Sequence, residues 1–359
     1  MKFSLHIETR IGDWQIIRDL EDYGYDAVWV PDTQMMWSDC YATMAVAAAN
    51  TSKIRIGTGI AVPGCRIAPT TAHSIASVNV LAPGRVFLGI GTGHTAMRVM
   101  GHDPMRIADF QEYIRVVRAL LDGETVDYTF RGKTTELKWQ DHGDGFRNLE
   151  DRIPIYVAAN GPRALQTAGA LGDGVVAAMG EQPDLIDFHY QQINDGAKAV
   201  GRTLPVDFHM TAGCHAVVLR PGEKLTDDRV IDIAAPWVAT MIHFVYEIWR
   251  YTKNDDMVPA YMKNIWEEYC DHVNQFDVPE EKIHQVLHTG HCSWVPPSER
   301  KFATPEMIEG TGMVGEPEQI AQAIRDAADR GLHEISLLPG LAYAREVARD
   351  FAEKVIPII

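Results

Sequence analysis

Cysteine is scarce in this chain. Its five residues, Cys40, Cys65, Cys214, Cys270 and Cys292, are odd in number, scattered, and never spaced as a CxxC pair. That excludes a disulfide framework and a thiolate zinc site, and it fits a reducing cytoplasm. Basic charge is also short: 33 Lys and Arg face 49 Asp and Glu, for a net charge of −16. Such a surface repels a phosphate backbone or an anionic bilayer, so neither a nucleic-acid nor a membrane partner is expected. Long apolar runs are missing as well. Ile67 to Gly84 is interrupted by Pro69, His73, Asn79 and Pro83, and Ile233 to Tyr246 is too short for a span and holds Pro236 and His243. The N-terminal Met1 to Leu5 leads straight into strand-like sequence, with no apolar segment or cleavage site of a leader.

With 46% hydrophobic and 23% charged residues in 359, the chain has ample material for a large core. Its main regularity is a repeat of a short apolar run, then Gly, Pro or Asp, then a helical pattern, which signals parallel strands joined by crossover helices. Eight runs qualify as strands: Ser4 to Ile7, Ala27 to Pro31, Ile54 to Ile60, Val86 to Ile90, Ile155 to Ala158, Gly174 to Ala178, Val206 to Val218 and Glu334 to Leu338. That is the number at which such a sheet closes, so an α/β fold, a (β/α)8 TIM barrel spanning 1–359 as one domain, is expected. Two helices are well specified. One starts at Pro317, carries Ile320, Ile324, Ala327 and Ala328 on one face, and stops at Gly331. The other runs through Phe110, Tyr113, Ile114, Val117, Leu120 and Leu121 to Gly123.

The repeat breaks from roughly Pro221 to Gly315, too long a stretch for a loop. Its aromatic residues, among them Trp237, Phe244, Tyr246, Trp249, Trp266 and Tyr269, recur at helical spacings, so an insertion in the C-terminal half is expected to enclose an apolar ligand or to form a subunit contact. A smaller excursion, Gly132 to Arg152, shows little periodicity.

In a closed barrel the chemistry sits where strands end. Glu8, Asp32, and Thr58-Gly59-Ile60 follow or close the first three strands, and Gly91-Thr92-Gly93-His94 follows the fourth. Asn160-Gly161-Pro162-Arg163 and Met179-Gly180 follow the fifth and sixth. Asn160 to Arg163 opens a helix with a first-turn proline, free amides and a cation, a phosphate cradle or else a plain strand-to-helix turn. Gly89-Ile90-Gly91-Thr92-Gly93 lacks the third glycine of a dinucleotide fingerprint, since His94 stands there. The two glycine-rich strand ends suit backbone approaching something flat and large, although glycine there also serves purely steric needs. His284, His288, His291 and Cys292 lie close in sequence with no carboxylate beside them; no metal site is expected, and His288 and His291 are assigned to the substrate wall instead. No nucleophile elbow is present in the sequence.

Taken in order, Gly24 to Asp32, Lys53 to Ile60, Pro83 to Gly93, Ile155 to Arg163 with Gly172-Asp173-Gly174, and Gly312 to Pro317 resemble the bacterial luciferase-like superfamily of flavin- and deazaflavin-dependent oxidoreductases. The resemblance implies a (β/α)8 barrel, usually a homodimer, with FMN or coenzyme F420 across the strand ends. It implies a non-proline cis peptide at Gly59-Ile60 under the ring, and a phosphate corner at Gly161, Pro162 and Arg163 with Gly180. The Asp32 to Trp37 spacing resembles the F420-dependent sugar-phosphate dehydrogenases, and Trp37 is assigned to substrate. That group has His and Glu where Thr33 and His94 stand, which argues against sugar-phosphate oxidation. The leading reading is an FMN-dependent monooxygenase acting on a small apolar or aromatic organic substrate, its reduced FMN supplied by a separate NAD(P)H:flavin reductase. His94 would be the acid/base, with Asp32 or Glu8 polarising it. The rival is F420-dependent hydride transfer to or from a carbonyl, imine or enone; a non-catalytic flavin-binding protein is the third.

Overall fold

The computed structural model describes residues 1–8, 10–141, 144–178 and 183–359. Eleven strands are present among them: β1 (Lys2–His6), β2 (Ala27–Val30), β3 (Arg55–Ala61), β4 (Val86–Ile90), β5 (Val126–Phe130), β6 (Lys133–Leu137), β7 (Ile155–Ala158), β8 (Gly174–Ala177), β9 (His209–Val218), β10 (Gly312–Gly315) and β11 (Glu334–Leu337). All pairings but that of β5 with β6 are parallel, and β1, β2, β3, β4, β7, β8, β9 and β11 close a ring in that order. This is the (β/α)8 barrel.

Two departures from the sequence reading concern the sheet. The strand expected to start at Val206 starts at His209, and Val206 is fully exposed. The strand is long because its first half pairs with β8 and its second half, from His215 to Val218, pairs with β10. The excursion expected from Gly132 to Arg152 opens with the second strand of an antiparallel hairpin, β5 and β6, whose first strand starts earlier at Val126. Its turn residues Arg131 and Gly132 both have positive φ, the mirror-image turn that matches strand twist.

Inside the ring, Trp29, Phe87 and Tyr156 pack together with Ala27 and Val176. Gly57 and Gly89 make room for them: a Cβ on Gly57 would come 2.1 Å from the Phe87 ring, and one on Gly89 2.2 Å from the Thr58 carbonyl. Those two glycines therefore serve interior packing rather than a ligand. Below this layer the Arg55 guanidinium lies 5.0 Å from the Phe87 ring centre and donates to the Tyr156 hydroxyl at 2.9 Å. Outside, the helix Pro317–Asp329 forms as expected, with Ile320, Ile324 and Ala327 buried. Glu316 and Gln319 cap it reciprocally, and Gly331 follows at φ +95°.

The helices Pro162–Leu171 and Pro183–Ala199 cross in backbone contact. A Cβ on Gly169 would lie 1.9 Å from the Ile193 carbonyl oxygen, and one on Gly196 2.0 Å from that of Gln166. Alanine in a helix ordinarily gains about 0.5–1 kcal/mol over glycine. Here the helices would have to separate, so Gly169→Ala is expected to destabilise by about 2–3 kcal/mol. A urea midpoint at or above wild type would refute the close crossing.

The insertion contributes the helix Asp228–Thr252, longer than the sequence reading allowed. By length and composition it could cross a membrane, yet 72% of its apolar window is buried within the fold. It lies across the barrel mouth. The aromatic residues divide in two: Tyr246, Trp249, Trp266 and Tyr269 stack among themselves, whereas Trp237 and Phe244 face a cavity at the strand ends.

Candidate active site

The cavity holds about 420 Å³ and sits at the carboxyl ends of the barrel strands, under the insertion. Strand alternation supplies one wall. Ser4, His6 and Glu8 share a parity, so Ser4 points into the barrel interior while His6 and Glu8 reach the cavity. The His6 ring stacks on Trp29 at 5.0 Å, its Nδ1 lies 2.8 Å from the Ser336 hydroxyl, and burial lowers its pKa to about 4. His6 is therefore a neutral floor residue. The sequence reading missed it, although the Ser4, His6, Glu8 alternation was there to be read.

Glu8 accepts the Leu341 amide on Oε1 at 3.1 Å, while Oε2 is buried with no hydrogen-bond partner among the described residues. Burial raises its pKa to about 7, against smaller opposing effects from Ser293, Leu341 and Arg10. A carboxyl in this condition exchanges a proton near neutral pH.

The floor is completed by β3 and β4. The Gly59-Ile60 peptide is cis, as the resemblance implied, and the pairing of β3 with β4 shifts register between Thr58 and Ala61. Gly59 and Ile60 line the cavity with Gly91, Thr92 and Gly93. A Cβ on Gly91 would meet Ile60 at 2.3 Å, and Gly93 turns at φ +85° into the short helix His94–Arg98. Across the cavity, Asn160 and Gly161 complete the wall, and the Asn160 side-chain oxygen accepts the Ala178 amide at 2.9 Å. The helix Pro162–Leu171 starts there with Gly161 as N-cap, no side-chain cap and proline in its first turn; the Ala164 and Leu165 amides donate to the Gly161 carbonyl, which leaves the Arg163 amide without an intrahelical acceptor at the rim.

Three assignments need correction. Thr58 is fully buried and donates to the Gly89 carbonyl at 2.6 Å; its parity is opposite to that of Gly57 and Gly59, so it points away from the cavity. Asp32 is 4% exposed and ion-paired with Arg66 at 3.3 Å, outside the cavity wall and without contact to His94. His288 is also buried behind the wall rather than on it. Pro162 and Arg163 stand on the exposed rim beside the cavity, next to Gly161. Met179 and Gly180 lie outside the described residues.

Trp37, His94 and His291 do line the cavity. Trp37 donates to the Ser293 hydroxyl at 3.3 Å, and His291 Nε2 lies 3.2 Å from Thr95 Oγ1. Burial, reinforced by His288, His243 and His94, holds His291 well below the usual histidine range. The partner of His94 is Glu247, from the middle of the helix Asp228–Thr252: His94 Nε2 lies 2.7 Å from Glu247 Oε2, and His288 Nε2 lies 3.4 Å from the same oxygen. Glu247 is 2% exposed. Burial would raise its pKa, but the two imidazoles outweigh that and hold it well below the carboxylate range. Nothing in the sequence around Glu247 marks it, because it sits in an amphipathic helical pattern far from His94.

Comparison with known proteins agrees with this architecture. One relative, a 5,10-methylenetetrahydromethanopterin reductase of Methanolobus tindarius, is 36% identical over 186 residues, 51% of this chain and 54% of that protein. An F420-dependent glucose-6-phosphate dehydrogenase of Kineococcus radiotolerans is 34% identical over 197 residues, 51% of this chain and 57% of that one. The match thus spans little more than half the length of these relatives. Among solved structures, the coenzyme F420 dependent tetrahydromethanopterin reductase of Methanopyrus kandleri superposes with a TM-score of 0.72 over 99% of this chain and 98% of its own, at 20% identity, which speaks to the fold alone. The sequence pattern described as luciferase-like monooxygenase matches residues 14–334. Barrel, cavity and sequence pattern together place this chain in the luciferase-like monooxygenase family of oxidoreductases.

Proposed function

We propose that this protein is a coenzyme F420-dependent oxidoreductase that moves a hydride to or from the carbon of a carbonyl, imine or enone in a small apolar or aromatic substrate. The sequence alone ranked this reading behind an FMN-dependent monooxygenase. Support for reversing the order comes from the relatives, whose names include F420-dependent enzymes, and above all from Glu8. Hydride transfer to a carbonyl or imine needs one proton at the heteroatom, and Glu8, whose pKa burial raises to about 7, lines the cavity.

The residues fit a flat, phosphate-bearing cofactor. Gly59, Ile60 and Gly91 to Gly93 line one side of the cavity, and the helix start at Gly161 with Arg163 offers a backbone amide and a cation for an anion. When bound, the deazaflavin supplies or accepts the hydride. Around it, Glu8 delivers the proton to the substrate oxygen or nitrogen in reduction and takes it back in oxidation. Trp37, Trp237 and Phe244 hold the apolar body of the substrate and exclude water.

Binding titrations of F420 and FMN, each oxidised and reduced, test the reading. F420 is expected to bind at least about 100-fold more tightly, a gap of about 2.7 kcal/mol, with turnover that consumes no oxygen. Arg163→Ala is expected to weaken F420 by about 10- to 100-fold, the worth of a charge-assisted hydrogen bond. Preference for FMN together with oxygen uptake would restore the monooxygenase reading.

A further inference from the structure

We infer that His94, Glu247 and His288 form a binding site for one divalent transition-metal ion of the zinc class, set behind the cavity wall. The three donor atoms come from three separate elements. His94 opens the short helix after β4, Glu247 lies on the helix Asp228–Thr252, and His288 ends the helix Ile283–Leu287. They lie within 4.8 Å of one another. Around a tetrahedral ion with bonds of about 2.0–2.1 Å, donors stand roughly 3.3–3.5 Å apart, so small side-chain rotations suffice to centre one.

The contacts are close but not aligned as hydrogen bonds. His94 Nε2, Glu247 Oε2 and His288 Nε2 are all buried without a hydrogen-bond partner among the described residues, despite separations of 2.7 and 3.4 Å. In a simple histidine–carboxylate pair the N–H would point at the oxygen. Three orphaned donor atoms side by side are what remains when each is aimed at a common point between them. Charge argues the same way. Glu247 is a carboxylate in a position that is 2% exposed, and the two imidazoles are its immediate neighbours. A buried carboxylate without a counter-charge is costly, and a divalent cation supplies one.

Two nitrogens and one carboxylate oxygen select zinc, cobalt, nickel or ferrous ions over magnesium or calcium, which take all-oxygen sites. The His94 ring lines the cavity while its Nε2 is buried, so the ion would sit just behind the wall. This is not the group of histidines that stands out in the sequence. His291 Nε2 is engaged with Thr95, and Cys292 Sγ lies 3.6 Å from the Thr240 hydroxyl. The missing carboxylate was on a different helix.

The full chain, stripped with a chelator and free of organic cofactor, should take up one Co2+ per chain with visible ligand-field bands, and Zn2+ should displace it. Glu247→Gln, which preserves shape, and His94→Ala, at the cavity edge, should each weaken binding by about 100-fold or more, since even outer-shell changes cost 10–100-fold. His284→Ala, one turn from His288 but outside the triad, should leave it unchanged. Absence of saturable Co2+ bands, or unaltered binding in His94→Ala, overturns the site. Because this measurement uses no F420, its failure leaves the hydride-transfer reading standing, and failure of F420 to bind leaves the metal site standing.

Discussion

Glu8→Gln should lower kcat by about 10²–10⁴-fold, the usual contribution of a positioned proton donor. It should also erase an ionisation near pH 7 from the rate profile. With the Glu8 pKa raised from 4.5 to about 7 by burial, the protonated acid persists up to neutrality. In the reductive direction kcat/KM is therefore flat below about pH 7 and falls above it; in the oxidative direction the carboxylate is needed and the limb is reversed. Stability, like the reductive direction, favours the protonated form. A carboxyl whose folded pKa lies above its unfolded one binds its proton more tightly in the fold, so the protein loses stability as pH rises from 4.5 to about 7, and the loss then levels off. Gln carries no such charge, so the variant should be more resistant to denaturant than wild type at pH 8, by up to about 3 kcal/mol, and nearly equal to it at pH 4. A slow variant that keeps the pH 7 inflection would place the proton donor elsewhere, and His94 would be the next group to test.

The part of the molecule legible in sequence is the part governed by strand periodicity and the barrel rule. Apolar runs bounded by Gly, Pro and Asp found the eight ring strands because these strands are buried on both faces. β10 was missed as a strand, since Gly312–Gly315 lies outside the eight-strand ring and gains its ladder from the overhanging half of β9. The hairpin of β5 and β6 was missed because most of its side chains are exposed or half-buried and carry no apolar alternation. At the site, reading the residues after each strand recovered Glu8, Gly59, Ile60, Gly91 to His94, and Asn160 with Gly161 around one cavity. The same rule admitted Thr58 and Asp32, because proximity to a strand end says nothing of direction. Thr58 has outward parity, and Asp32 continues that of Val28 and Val30 and finds Arg66 from the next loop. Glu247 was out of reach of any such rule, since what gives it meaning is a long-range contact with His94 and His288.

The floor beneath the cavity depends on a second buried carboxylate, and its removal should give the largest loss of stability. Glu334, 1% exposed, accepts from the Ser4 hydroxyl at 2.5 Å and from Trp29 Nε1 at 3.0 Å on one oxygen, and meets His209 Nε2 at 2.9 Å on the other. Trp29 in turn carries the stacked ring of His6 that faces the cavity. Glu334→Ala would leave the Ser4 hydroxyl and His209 Nε2 without this partner, strip Trp29 Nε1 of one of its two acceptors and open a void beneath Trp29, so a loss of about 3–5 kcal/mol is expected. Burial by itself would raise the Glu334 pKa, but His209, Ser4 and Trp29 bring it down to about 2. A depressed folded pKa means that the stabilisation is complete above the unfolded value of about 4.5 and is lost as pH falls toward 2. The gap in denaturant midpoint between wild type and Glu334→Ala should therefore be widest near pH 7 and narrow by pH 3. A gap independent of pH would mean that the carboxylate stabilises the floor only as a space-filling group, and the network from Glu334 through Trp29 to His6 would lose its role in holding the cavity floor.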